Sequence, residues 1–161
     1  MRARTIAGML RERADSAKGD RLAIRFHDHS AWVEWSWREY WAAAESAASS
    51  PWESGVRPCN HVLVLLPQVR QAVPTLFGLW ILGAVHIQIG LPSPLPQQEQ
   101  FLANLNETAD RLHARFLLTS AEWPATAGKV RVIQADFLSH NIIHHAPRSG
   151  RGSRNGLPAI D

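Results

Sequence analysis

Three histidines, His140, His144 and His145, form an H-x3-H-H pattern near the carboxyl end of the chain. On an α-helix, residues i and i+4 share a face, and zinc sites use this spacing because two imidazoles can then reach one tetrahedral ion. Asp136 is the one acidic residue nearby, and Asn141 and the Pro- and Gly-rich residues that follow argue against a rigid helix. The pattern is therefore assigned no metal, and its role stays open. His27-Asp28-His29 places a carboxylate between two imidazoles, but in a segment predicted to be a solvated hairpin turn. Cys59 is the single thiol, and nothing around it marks a lowered pKa, so a small buried or half-buried residue is expected there. Ser36, Ser93 and Ser120 lack the G-x-S-x-G setting of an activated serine. Neither G-x-G-x-x-G nor G-x4-G-K-[ST] occurs, so no dinucleotide or P-loop motif is present. No catalytic, cofactor-binding or metal-binding residue is assigned from these patterns.

The elements that would position such residues read as an α/β fold. Residues 5 to 17 carry Ile6, Met9, Leu10 and Arg13-Ala14 at helical spacing. Leu22 to Phe26 and Trp32 to Trp35 read as a hairpin about the turn His27-Ser30. Ser36 and Glu39 form a capping box that opens an Ala-rich helix, Trp37 to Ser49, which Ser50-Pro51 and Gly55 then break. Strands are expected at Val62–Leu66, Val85–Ile89, Phe116–Thr119 and Val130–Ile133. Helices are expected at Val69–Leu82 and Gln97–His113, the second with Phe101, Leu102, Leu105 and Leu112 on one side. Pro74 requires a later start or a kink in the first of these. Pro92, Pro94 and Pro96 form a stiff linker. Short apolar strands alternating with helices predict a partial doubly wound parallel sheet flanked by helices, preceded by an N-terminal helix and a β-hairpin. Residues 136–161, rich in Gly, Ser, Arg and Pro, read as a linker-like tail.

Composition limits the function classes. The chain has 161 residues, 45% of them apolar, so a core is expected and disorder over the whole length is not. Trp32, Trp35, Trp37 and Trp41 are expected to pack on one another or under a sheet edge rather than to form a stacking platform. One cysteine excludes an internal disulfide and fits a reducing, cytoplasmic compartment. The basic start has no long apolar stretch, which excludes a secretory signal. The longest nearly apolar run, Ala72–Val85, falls short of the roughly 20 residues a membrane span needs. The net charge of +3 comes largely from the ends, where the N-terminal arginines alternate with Glu12 and Asp15. This is a solvated helix face rather than a nucleic-acid surface.

One stretch carries more information than the rest. Gly55-Val56-Arg57-Pro58, Val62-Leu63-Val64-Leu65-Leu66-Pro67 and Leu82-Gly83-Ala84-Val85 follow one another at βαβ spacing. They resemble the adenylate-forming ligases, which include acyl-CoA synthetases, fatty acyl-AMP ligases, luciferases and peptide-synthetase adenylation domains. That family carries G-V-x-P-G-D-R-V-x-L-L-L-P-N, a helix, then L-G-A-V-x-V-P. Trp35-Ser36-Trp37-Arg38-Glu39-Tyr40 resembles the family's opening hairpin and helix. Leu91-Pro92-Ser93-Pro94-Leu95-Pro96 resembles the proline-rich crossing of its fatty acyl-AMP branch, and Leu105 to Ser120 its next helix and strand. The chain departs from the pattern at Cys59-Asn60-His61, where the family favours G-D-R, and at Gln88 and Gly90. A Gly in the first of these positions suggests a left-handed turn residue, a role that Asn60 could fill more cheaply than Cys59.

The resemblance implies that residues 1–135 are the N-terminal portion of an AMP-binding domain. The activity it implies is formation of an acyl-AMP from a carboxylic acid and ATP with Mg, then acyl transfer to coenzyme A or a carrier-protein thiol. Leu157-Pro158-Ala159-Ile160-Asp161 resembles the segment just before the family's Ser/Thr/Gly-rich phosphate loop. The implied partner is the remainder of that ligase domain, and this chain alone would be inactive scaffold. Two other readings stay open: a self-contained non-catalytic partner-binding module, and an unrelated α/β domain with a ligand at the carboxyl ends of its strands. The lone scaffold is further expected to expose the Trp-rich segment and Leu76, Phe77, Leu79, Trp80 and Ile81.

Overall fold

A computed structural model describes residues 5–28, 31–66, 69–90, 98–120 and 126–135. Helix α1 (Ile6–Asp15) is opened by Thr5, whose side chain accepts from the Gly8 N–H. Strands β1 (Leu22–Asp28) and β2 (Ala31–Ser36) pair antiparallel. Ser36 then caps α2 (Trp37–Glu53). Its hydroxyl accepts from the Glu39 N–H, and the Glu39 carboxylate accepts from the Ser36 N–H at 2.7 Å. There follow β3 (His61–Leu65), α3 (Val69–Ile81), β4 (Val85–Gln88), α4 (Gln98–Arg111) and β5 (Phe116–Thr119). The last described elements are β6 (Thr126–Ala127) and β7 (Val130–Gln134).

The main sheet has the order β4-β3-β5-β7-β6. Its first four strands are parallel, and β6 adds a short antiparallel edge. Alternation along β3 explains how both faces are covered. Val62, Val64 and Leu66 face a layer containing Val56, Leu79 and Ala84, joined by Phe116, Leu118 and Ile133 from neighbouring strands. Leu63 and Leu65 face Leu105, Ala109 and the partly buried Phe101 and Leu102 of α4. A third cluster joins the hairpin to the helices: Leu10, Phe26, Trp35 and Tyr40 are buried together, with Val73 and Phe77 against them. The doubly wound parallel sheet, its flanking helices and the preceding helix and hairpin are all present.

Several local expectations are corrected. Hairpin pairing runs further than expected, with His27 opposite Trp32 and Asp28 opposite Ala31, so His27-Asp28 is strand rather than turn. Helix α1 buries Ala7, Leu10 and Ala14 and leaves Ile6 and Met9 exposed, because its inward face is centred one position away from the one the spacing suggests. Helix α2 runs through Pro51 to Glu53. Pro51 falls in its last turn, and the helix end is closed beyond it, where the Pro51 carbonyl accepts from the Val56 N–H. Helix α3 contains Pro74 and still begins at Val69. In α4, Leu112 is exposed, since it lies beyond the last turn. Leu79 is fully buried and Leu76, Phe77, Trp80 and Ile81 are half-buried, so α3 is covered by the hairpin and α2 rather than exposed.

The tryptophans do not form one stack. Trp35 meets Phe26 edge-on at 5.0 Å and lies 6.4 Å from Tyr40, while Trp37 and Trp41 are half-buried against the same cluster. Trp32 is 67% exposed, with its ring on His27. Trp52 stacks on the Arg57 guanidinium at 3.9 Å. The proline-rich linker and the segment 136–161 lie outside the described residues.

Candidate functional site

In open α/β sheets ligands bind in the crevice beyond the carboxyl ends of the strands. Here that rim is formed by Leu66, Gln88–Gly90, Thr119–Ser120 and Gln134–Ala135, which end β3, β4, β5 and β7. None of these described side chains is ionisable, so this part of the rim can shape and position a ligand but does not itself exchange a proton with one. The residues that continue each strand, 67–68, 91–97, 121–125 and 136 onward, lie outside the described residues.

The residues singled out in the sequence do not converge on this rim. Ser36 serves the capping box of α2. Ser120 is exposed at the end of β5. His29, Ser93, Asp136, His140, His144 and His145 lie outside the described residues. Among the described residues no three His, Cys, Asp or Glu side chains gather as metal ligands. The one Gly-Lys pair preceded by Thr, Thr126-Ala127-Gly128-Lys129, belongs to the β6–β7 hairpin. Lys129 bonds Asp110 at 2.7 Å and its N–H donates to Asn106 Oδ1, so this turn is tied to α4 rather than open to a phosphate.

Cys59-Asn60-His61 sits at the opposite end of the sheet. The Arg57-Pro58-Cys59-Asn60 turn closes through the Asn60 N–H on the Arg57 carbonyl at 3.0 Å. Cys59, with φ 65°, takes the left-handed position, correcting the expectation for Asn60. Asn60 is otherwise engaged: its Oδ1 accepts from the Arg57 N–H and its carbonyl accepts from Val85. The Cys59 thiol is exposed, not buried.

A different histidine, missed in the sequence, is half-buried in the sheet with its Nε2 enclosed. His86 on β4 stands level with Val62 and so faces α3. Burial lowers its pKa, against weaker opposing hydrogen bonds to its own backbone and to Gln88. Its Nε2 is buried without a partner, as are Gln71 Oε1 and Thr75 Oγ1 on α3. The alternation Val85-His86-Ile87-Gln88 carried this signal, because polar residues at every second position of a strand share a face.

A family model described as AMP-binding enzyme matches residues 10–135. The 2,3-dihydroxybenzoate-AMP ligase of Bacillus subtilis (strain 168) is 30% identical over 105 residues, covering 65% of this chain and 18% of the ligase. The N-terminal subdomain of Klebsiella oxytoca NpsA, in complex with 3-hydroxybenzoyl-AMSN, superposes with TM-score 0.66 at 16% identity over 86% of this chain and 32% of that one. The fatty acyl-adenylate ligase of L. pneumophila, in complex with acyl adenylate and pyrophosphate, gives TM-score 0.67 at 16% identity over 81% and 23%. The two structures establish the common fold, and the chain spans between about a fifth and a third of the relatives it matches.

Proposed function

The chain belongs to the AMP-binding enzyme family, and we propose from that membership that it supplies the N-terminal scaffold of a ligase that activates a carboxylic acid as its acyl-AMP. The observation that carries this reading is the family match across residues 10–135, on a sheet whose four parallel strands occur in the expected order of elements. In such a reaction a carboxylate oxygen displaces pyrophosphate from the α-phosphorus of ATP. A thiol of coenzyme A or of a carrier protein then displaces AMP. This chain's share is positioning. Its rim has no ionisable side chain among the described residues, so the groups that hold ATP and Mg would come from the remainder of the domain. Residues 1–135 are its portion of that domain, and 136–161 serve as linker.

An aromatic acid is supported as the substrate by the 30% identity to an aryl-acid ligase. The proline-rich segment 91–96 supports a fatty acid as the second reading. A cytoplasmic location is supported by the exposed free thiol of Cys59, which fits a reducing compartment. Among the described residues no helix is long and apolar enough to cross a membrane.

ATP–pyrophosphate exchange tests the reading. The purified 161-residue chain is expected to give no exchange above a no-enzyme control with 2,3-dihydroxybenzoate or with a long-chain fatty acid. Exchange by this chain would overturn the scaffold assignment. Coding DNA beyond the Asp161 codon is expected to encode a Ser/Thr/Gly-rich loop with Lys. Its absence would favour a self-contained binding module instead.

A further inference from the structure

At the amino ends of β3 and β5, remote from the carboxyl rim, a basin of about 300 Å³ is lined by Cys59, Asn60, His61, His113 and Arg115. Three of these five side chains are basic and none is acidic. Among the described residues Arg115 pairs with no carboxylate, whereas nearby Arg111 and Lys129 are held by Glu107 and Asp110. His61 Nδ1 contacts the Leu112 carbonyl. A carbonyl can only accept, so Nδ1 carries the proton, and Nε2 can donate to an anion only when the ring is doubly protonated.

The backbone around this basin adds a second observation. Cys59 and His113 are the two non-glycine residues with positive φ among the described residues, at 65° and 50°, and both line it. Three helices end with the same pair of reverse bonds. After α2 and α3 the left-handed position is filled by Gly55 and Gly83. After α4 it is filled by His113, with the Ala114 N–H bonded to the Ala109 carbonyl at 2.9 Å. Glycine would satisfy that helix end without strain. Here an imidazole takes its place beside Arg115, and strained backbone concentrates where side chains are in use.

We propose that this basin binds a small oxyanion of the phosphate class, held by the Arg115 guanidinium and the imidazoles of His61 and His113. A guanidinium fork matches two oxygens of one phosphate group, and the His113 N–H, together with the Nε2–H of a doubly protonated His61, can donate to the others. The proposal does not rest on the ligase reading, since the basin lies at the opposite end of the sheet from the rim.

The test titrates the ¹⁵N-labelled 161-residue chain with inorganic phosphate and, separately, with glycerol phosphate, at constant ionic strength set by chloride. Saturable shifts of the Cys59, Asn60, His61, His113 and Arg115 amides are expected with one or both. Stronger binding of the ester would identify a phosphomonoester as the preferred source, and stronger binding of the free ion would identify phosphate itself. Arg115→Gln should weaken binding about tenfold, the scale of a charge-assisted hydrogen bond. His113→Gly separates binding from structure: it should raise the melting temperature by relieving the left-handed strain, yet weaken binding several-fold. Shifts that do not saturate, or equal affinity in wild type, Arg115→Gln and His113→Gly, would overturn the proposal.

Discussion

Gly78→Ala is expected to destabilise the fold, although the same change in an ordinary helix stabilises it. In an exposed helix interior, replacing glycine with alanine gains about 1 kcal/mol. Gly78 instead sits where α3 crosses α2. A Cβ there would lie 2.9 Å from the Ala44 carbonyl oxygen, 3.0 Å from the Ala47 carbonyl carbon and 3.0 Å from the Ala48 nitrogen. All three are backbone atoms, so no side chain can rotate away. The helices must separate by several tenths of an ångström, and that loosens Ala44 and Ala47, both fully buried. It also lifts Leu79 and Thr75, likewise fully buried, from their places in the core. Overpacking of this kind costs about 1–3 kcal/mol, so after the propensity gain the net loss is about 0–2 kcal/mol, centred near 1. Urea unfolding followed by tryptophan fluorescence reads this directly. With a slope of about 1–3 kcal/mol per molar, a loss of about 1 kcal/mol lowers the midpoint by roughly 0.3–1 M. A midpoint unchanged or raised would show that the close α2–α3 approach does not limit the residue at position 78.

Two further changes probe separate parts of the same argument. Ser36→Ala removes the acceptor for the Glu39 N–H at the start of α2 and should cost about 1 kcal/mol in the same urea assay; no loss would mean the capping box adds nothing to stability. His86 has its pKa lowered mainly by burial, so the folded chain binds fewer protons there than the unfolded chain does. Its contribution is present above the ordinary imidazole range and is lost as the pH falls through that range. His86→Leu should therefore flatten the decline in stability from pH 7 to pH 5, and an identical decline in both proteins would refute the assignment.

The fold was legible where a local pattern had one physical solution. Val62–Leu66, Val85–Ile89 and Phe116–Thr119 are short, apolar and separated by helical segments, and parallel pairing under two helix layers is the arrangement that buries them. Ser36 and Glu39 fixed the start of α2 because the capping box is a local device. The ends of helices were harder to read. Pro51 suggests a stop because proline lacks an amide donor, yet the helix runs on to Glu53 and is closed by the left-handed Gly55. The face of α1 was misjudged for a different reason. Ile6 and Met9 have the right spacing for a buried stripe, but the side buried against the neighbouring elements is that of Ala7, Leu10 and Ala14. A stripe records which residues could be buried, and the neighbouring element decides which are.

The candidate sites were less legible because side chains from distant parts of the chain make them. His61 and His113 are separated by more than fifty residues. They meet because β3 and β5 are adjacent and start level with one another, with Val62 opposite Phe116. The departure at Cys59-Asn60-His61 was visible as a break in the family pattern, but its meaning depends on geometry. Cys59 takes the left-handed turn position because Asn60 is already held through its side chain and its carbonyl. That choice carries a cost of about 1–2 kcal/mol, and His113 repeats it at the end of α4. Two such costs would not be expected to fall at random in one basin that also holds an arginine paired with no carboxylate among the described residues. At the carboxyl rim the described positions are uncharged and none has a positive φ, which is what a supporting edge requires. Among the described residues, chemistry-bearing side chains and backbone strain thus gather at the amino end of this sheet, while the described carboxyl-end positions supply shape.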